Sequence, residues 1–465
     1  VGFTRVRIRA AGMQEGVQVL FGDTPATDIT RVSSREVVVQ SPARGLGRVD
    51  VRFRNPDGTT DVAENAFEYR TLVDRSTGGV MPLEFDTGND GEAVDVDGDG
   101  DVDVVVANGG VDTPEVSTVY RNQLRETGSV SFRRTGFSGV FTANQVSMGD
   151  INGDGVADLL LASSQGSHLY TNDGRGNFNE VMMPNSGDGA FEGVIADLTA
   201  DNIPDIFLLN IGCSEGGGPN CNPDVTGRDT FLQNLGMGAL QDVSSRVPHD
   251  EALVHDHKLE LWDLDGNGRK DLIIVSDNKN FRGRSPQDVP RHRVLLNFAN
   301  GFEERDPPDL RNLIGDVYGI AMGDLDGDGR GDLVLPNYLP QSLGALNMPG
   351  TPGSTVVLMG QPGVDFVRDD TRLGVGLLDE PTISTVVVDL DEDGDLEILS
   401  ANLQGINRLF VNRGNGFFVP AVSGVPQINQ ATTDLVAGDY DDDGDLDVLV
   451  VNQGQDILLL AQPMR

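Results

Sequence analysis

Residues 95–103 read Asp95-Val96-Asp97-Gly98-Asp99-Gly100-Asp101-Val102-Asp103, and the next five are the apolar run VVVAN. Six further stretches repeat this pattern, starting at Asp150, Asp197, Asp263, Asp324, Asp389 and Asp439. Each is again followed by a short apolar strand, such as LLLAS after Asp158, IFLLN after Asp205 and VLVVN after Asp447. A repeat recurring every 47 to 66 residues marks an array built from one supersecondary unit. Hard oxygen donors at positions 1, 3, 5 and 9 of a tight loop are what calcium takes as ligands.

Around each loop the unit reads as four strands. A short apolar lead-in precedes the loop, and an apolar strand follows it. A third, alternating strand often ends in Asn, as at Asn122, Asn172, Asn234, Asn297 and Asn412. A Gly-aromatic step at Phe178, Phe302 and Phe417 opens a fourth. Four antiparallel strands per unit make a propeller blade, and seven blades fall within the usual range for a closed ring. The last unit stops after its third strand, ILLLAQPMR. Residues 81–86 are therefore expected to complete it, hiding the edges that an unclosed ring would expose.

The loops are not helix-loop-helix sites, which need flanking helices and a bidentate Glu at position 12. Position 12 here is Val106, Leu335 and Val450 in the three most regular copies. Position 6 is Gly in six copies and Asn202 in the third, residues that tolerate a positive φ. Position 7 is expected to offer its backbone carbonyl. The ligand sets are then Asp95, Asp97, Asp99, Asp101 and Asp103; Asp150, Asn152, Asp154, Val156 and Asp158; Asp197, Thr199, Asp201, Ile203 and Asp205; and Asp263, Asp265, Asn267, Arg269 and Asp271. The last three sets are Asp324, Asp326, Asp328, Arg330 and Asp332; Asp389, Asp391, Asp393, Asp395 and Glu397; and Asp439, Asp441, Asp443, Asp445 and Asp447. Up to seven calcium ions are expected, one per blade and structural in role. The third loop, with Thr199, no Gly and Pro204 beside its last ligand, is the poorest.

The formal net charge is −39, with 73 Asp and Glu against 34 Lys and Arg. Carboxylates packed into loops repel one another unless a cation joins them, so the metal-free state is expected to be strained. Such a chain is a poor match for nucleic acid. No apolar stretch reaches the length of a membrane span. No charged-then-apolar leader precedes Val1, and a signal peptide is expected to have been removed or to lie outside this chain. Cys213 and Cys221 are separated by seven Gly-rich residues, a spacing that permits a disulfide and also two unrelated thiols.

The loops D-x-D-x-D-G-x-x-D, each with its apolar strand and an L-[YF]-x-N strand, resemble the FG-GAP and VCBS repeats of integrin-α-like propellers. The resemblance spans about residues 80–465. It implies calcium loops on one face of the disc and ligand recognition on the other. Residues 1–71, with VLFGDTPATDITRV, the turn Asn55-Pro56-Asp57-Gly58 and the closing run Ala66-Phe67-Glu68-Tyr69, resemble an IPT/TIG immunoglobulin-like sandwich. That family's opening strand is absent before Val1. Residues 72–80 read as a linker and 81–465 as the propeller.

Connections between second and third strands are long in blades three, four and five, at about residues 210–228, 276–291 and 337–354. Long insertions on neighbouring repeats are where such arrays place recognition, although loop length also drifts neutrally. The blade-four connection carries Lys279, Arg282, Arg284, Arg291, His292 and Arg293, a basic cluster suited to an acidic glycan, an acidic protein or another subunit. It would serve equally to pair with acids of its own molecule. His255 and His257 point the same way on a strand. That spacing is compatible with a polysaccharide lyase, though no nucleophile elbow, phosphate loop or zinc motif accompanies it. The reading is an all-β, secreted or surface-displayed bacterial binding or adhesion protein. Its partner is expected to be a protein or acidic glycan, with self-assembly possible. The alternative is a carbohydrate-active enzyme using His255 and His257.

Overall fold

The structure is a computed structural model. It describes residues 5–463 apart from 43–46, 84–85, 111–112, 137–138, 185–188, 211–228, 249–255, 277–291, 312, 314–316, 337–354, 370, 374–380, 404, 422–425, 427 and 429. The long connections of units three to five, Cys213, Cys221, His255, Lys279, Arg282, Arg284 and Arg291 lie outside the described residues.

Among the described residues the chain is almost entirely strand. Five antiparallel sheets hold four strands each, joined in chain order. Gln145–Gly149, Asp158–Ala162, His168–Asn172 and Phe178–Val181 form one of them. Asp86–Val94, Asp103–Asn108, Thr118–Asn122 and Phe132–Gly136 form an equivalent set, and so do Thr432–Gly438, Asp447–Gly454 and Ile457–Pro463. These last two sets are bridged into one larger sheet.

Six of the seven second strands are buried along their length: DVVVAN, DLLLA, DIFLLN, DLIIVS, DLVL and EILSAN are covered at all positions. Both faces of each sheet are covered, which is why these strands read as unbroken apolar runs. The core is correspondingly divided. Seven apolar clusters each lie between two successive units, as Val105, Leu159 and Leu161 do between the first and second. The cluster of Tyr120, Tyr440, Val104 and Leu449 joins the last unit to the first.

In the first four units, N–H groups of the inner strand are satisfied by side chains of the preceding unit. Val146 donates to Asp90 (3.1 Å), Met148 to Glu92 (2.9 Å), Gly193 to Gln145 (3.1 Å), Leu259 to Glu192 (2.8 Å) and Gly91 to Asp434 (3.1 Å). A buried N–H without an acceptor is costly, so these acids are structural. Lys258 occupies the corresponding place in the fourth unit, donates to Asp90 across the ring at 2.8 Å and lies 3.9 Å from Glu192.

The closing strand is not the expected one. Residues 70–74 pair with Ile457–Pro463, from Arg70↔Pro463 to Asp74↔Leu459. Residues 81–86 do not supply it: Met81 is buried in the cluster joining last and first units, and Asp86 opens the first inner strand. Residues 72–74 of the expected linker are strand instead, because one strand, Thr60–Asp74, both ends the N-terminal module and closes the ring. The propensity of TLVD for a strand was hidden by its placement after an apparent domain end.

The N-terminal module is two small sheets, one ordered around Glu36–Gln40 and the other around Gly47–Arg54, enclosing Val19, Phe21, Val37, Val39 and Phe53. The turn at residues 55–58 is present, with Asn55 N–H donating to the Thr59 carbonyl (2.8 Å) and Gly58 at φ 87°. The module contacts the sixth acidic loop, where the Arg5 N–H donates to Asp393 (2.5 Å) and its guanidinium lies 3.9 Å from Asp395.

Candidate metal centres

All seven acidic loops fold alike. The position-1 carboxylate accepts the N–H of position 6 at 2.8–3.0 Å, from Asp95 with Gly100 to Asp439 with Gly444. This requires a left-handed residue at position 6, and each one has a positive φ, Asn202 at 64° included. Position 4 is left-handed too, a requirement the sequence reading missed. Gly fills it in four loops, whereas Ala200, Glu392 and Asp442 adopt φ of 57°, 58° and 56°. Those three side chains hold a conformation that costs roughly 1 kcal/mol or more.

Position 9 is anchored from both sides. In the first loop one Asp103 oxygen accepts the Val96 N–H (3.0 Å) and the other accepts the Asn122 N–H (2.7 Å). Asp158, Asp205, Asp271, Asp332, Glu397 and Asp447 repeat the arrangement. The acidic loop, the second strand and the end of the third strand thus meet on one carboxylate.

Position 3 behaves differently. Oδ1 of Asp97, Asp326 and Asp441 is buried and receives no donor. A buried charged oxygen with nothing to bind is rare in folded proteins and calls for a counter-ion. Ligand oxygens of Asp263, Asp265 and Asp271 lie within 4.8 Å of one another, and so do those of Asp324, Asp326 and Asp332 and of Asp389, Asp391 and Glu397. In the first loop the convergent set is Asp95, Asp97 and Asp99. Two oxygens each about 2.4 Å from a shared calcium can be at most about 4.8 Å apart, so these groups fit one hard cation.

Electrostatics agree with the geometry. Burial raises Asp103 and Asp447 to about 7 and Asp271 and Asp332 to about 6, with neighbouring loop carboxylates adding to the rise. Burial, followed by the Asp391 charge, raises Glu397 to about 10. Desolvation first and the facing Asp443 second raise Asp441 to about 6. Without a cation these groups resist ionisation, as expected for clustered, half-dry acids.

The third-strand Asn residues, noticed in the sequence but given no task there, latch neighbouring units. Asn172 Nδ2 donates to the Val96 carbonyl of the preceding loop (2.8 Å) and to Ala157 of its own (3.2 Å). Asn234 reaches Ile151 (2.7 Å), Asn297 reaches Leu198 (2.7 Å) and Asn412 reaches Leu325 (2.9 Å). Asn122 reaches Tyr440 (2.8 Å), linking first unit to last. Gly360 and Ala461 stand at this place in the other two units.

Of the basic cluster, the two described members are interior. Arg293 is 3% exposed and lies 2.6 Å from both Asp229 and Asp256. His292 is 1% exposed, accepts the Ser276 N–H at Nδ1 (3.0 Å) and is pushed by burial to about 4. Neither is open to a partner, because the third strand of unit four begins here and carries both side chains inward. His257 stacks on Phe191 (4.4 Å between ring centres) and meets Tyr318 edge-on (4.9 Å). These three half-buried rings come from successive units. They stand at or just before the start of the inner strands, remote from the acidic loops.

Comparison with known proteins agrees with this geometry. The family model for the FG-GAP-like repeat matches residues 95–161, 150–208, 263–335 and 389–450, together more than half of the chain. The protein belongs to that family of β-propeller repeats. Among solved structures, BBS1N in complex with ARL6DN is similar at 10% identity, covering 85% of this chain and 98% of its own, with a TM-score of 0.51. An Agrocybe aegerita lectin recognising non-reducing terminal N-acetylglucosamine is similar at 16% identity, covering 82% of this chain and 88% of its own, with a TM-score of 0.47. At such identities the likeness concerns the fold. Among curated proteins none matches. No helix among the described residues is long and apolar enough to cross a membrane.

Proposed function

We propose that this is an extracellular binding or adhesion protein. In this reading it is a calcium-stabilised, seven-bladed propeller carrying an immunoglobulin-like module, and it captures a protein or glycan on the face opposite the calcium loops. The calcium reading rests on the donorless position-3 oxygens and the convergent carboxylates. Each ion would tie the turn between first and second strands, using the loop sets from Asp95 to Asp447, with the donorless Oδ1 of Asp97, Asp326 and Asp441 among its ligands. In hydrolytic metal catalysis the ion keeps an open position near acid or base groups. Here the loop carboxylates are met by backbone N–H groups that fix the loop and by guanidiniums such as those of Arg121 and Arg125.

The observation that carries the binding reading is the aromatic group of Phe191, His257 and Tyr318. Blades three, four and five each contribute one ring, and these are the blades whose second and third strands are joined by long stretches of sequence. Half-buried aromatic side chains offer large, rigid contact area to sugars and peptides alike. Probing glycan and protein arrays with the whole protein, with and without calcium, tests the proposal. Capture should be lost when Phe191, His257 and Tyr318 are replaced together by Ala, with the thermal midpoint kept within a few degrees. Undiminished capture by that variant would refute the assignment of this face.

A further inference from the structure

On the other face, at the seam of the third and fourth units, lies a cavity of about 270 Å³. Its walls come from the third acidic loop (Thr199, Asp201), the third strand and short helix of unit three (Gln233, Arg246), and the fourth loop and the end of the third strand of unit four (Arg269, Phe298). The two arginines set it apart. Acids outnumber bases 73 to 34 in this chain, yet among the described residues neither guanidinium has a carboxylate partner. Arg246 donates only to Gln233 Oε1 (3.1 Å), which holds it against the wall. Among the described residues the Arg269 side chain has no partner. Two guanidiniums without a carboxylate partner on the walls of one cavity can accept an external anion, and a planar fork suits a carboxylate held by two hydrogen bonds.

The remaining walls narrow the ligand. Phe298 is 38% exposed at the rim and offers an apolar ring. The Gln233 amide supplies a group that bonds to neutral hydroxyls, while Thr199 and Asp201 belong to the third acidic loop. The volume sits just below the roughly 300–1,000 Å³ of pockets for drug-sized ligands, so a single ring fits rather than an oligomer. We infer that this cavity binds one hexuronate unit of an acidic polysaccharide. Arg246 and Arg269 take its carboxylate, Phe298 stacks on its ring, and the Gln233 amide takes a hydroxyl. The site lies across the disc from the aromatic mouth, so it goes beyond the proposed function and fails or stands separately from it.

Saturation-transfer NMR on the whole protein tests this, using galacturonate and glucuronate, their methyl esters, galactose and inorganic sulfate as separate probes. A uronate should give ring-proton transfer and bind at least about tenfold more tightly than its methyl ester or galactose, as the loss of a charge-assisted pair implies. Arg246→Gln with Arg269→Gln should remove that preference at an unchanged thermal midpoint, since neither side chain balances a carboxylate. Equal binding of acid and ester overturns the inference without any variant. Uronate binding that sulfate displaces at equal concentration, with no ring-proton transfer, leaves an anion site alone and also overturns it. Undiminished preference in the double variant moves the site elsewhere.

Discussion

Replacing Asn172 by Ala removes the latch between the first and second units and nothing else of substance. The side chain is 2% exposed and makes three contacts: Nδ2 to Val96 O (2.8 Å), Nδ2 to Ala157 O (3.2 Å), and Oδ1 from Gly174 N (3.2 Å). Ala leaves two buried carbonyls without a donor. At about 1 kcal/mol per bond, and more where a partner is stranded, the loss is about 2–4 kcal/mol. An unfolding entropy of roughly 2.1 cal/mol/K per residue over the chain turns this into a fall of about 2–4 °C in the thermal midpoint. Calorimetry in calcium and in chelator, with Asn177→Ala as control, reads it. Asn177 holds only Asp173 in its own turn and crosses no seam. The reasoning fails if Asn172→Ala melts with Asn177→Ala, or if its deficit disappears in chelator, which would place its action on the ion.

Two further perturbations follow from the buried charges. Chelation should lower the midpoint. With site affinities near 10⁻⁴–10⁻³ M, each ion at 10 mM calcium contributes about 1.4–2.7 kcal/mol. In chelator the loop acids have folded pKa values above their unfolded ones. Their contribution is therefore present near pH 4 and lost as pH rises through about 6 to 7, the values of Asp271, Asp332, Asp103 and Asp447. Scanning calorimetry should find the chelated protein less stable at pH 8 than at pH 5, and the gain from calcium larger at pH 8; a chelated protein that strengthens over that interval contradicts the assignment. Arg293→Met strands Asp229 and Asp256 and should cost about 3–5 kcal/mol in urea unfolding at pH 8. Adding Asp229→Asn and Asp256→Asn should restore most of it.

The ring was legible because its signal is local and repeated. Turn, apolar strand and Asn-ended strand sit close together in each copy, and Asn202 standing in for Gly at position 6 followed from one dihedral requirement. What was missed depends on partners far along the chain. The Asn172 side chain meets Val96, and residues 70–74 meet Ile457–Pro463 across nearly the whole sequence. For Arg293 the sequence left open a partner contact or pairing with acids of its own molecule, and the structure shows the second, with Asp229 and Asp256, since a run of charges says nothing of which member a strand turns inward. The cavity of Arg246 and Arg269 draws on two units, and neither residue stands out alone.

The strand Thr60–Asp74 is both the last strand of the small module and the clasp of the ring. A pull applied to the module has no slack segment to stretch first. It reaches the five residue pairs between 70–74 and the final strand directly, and loads them along the strand direction. A tether attached at that end therefore tugs on the seam that keeps the wheel shut, so tension on the module and opening of the wheel become a single mechanical event.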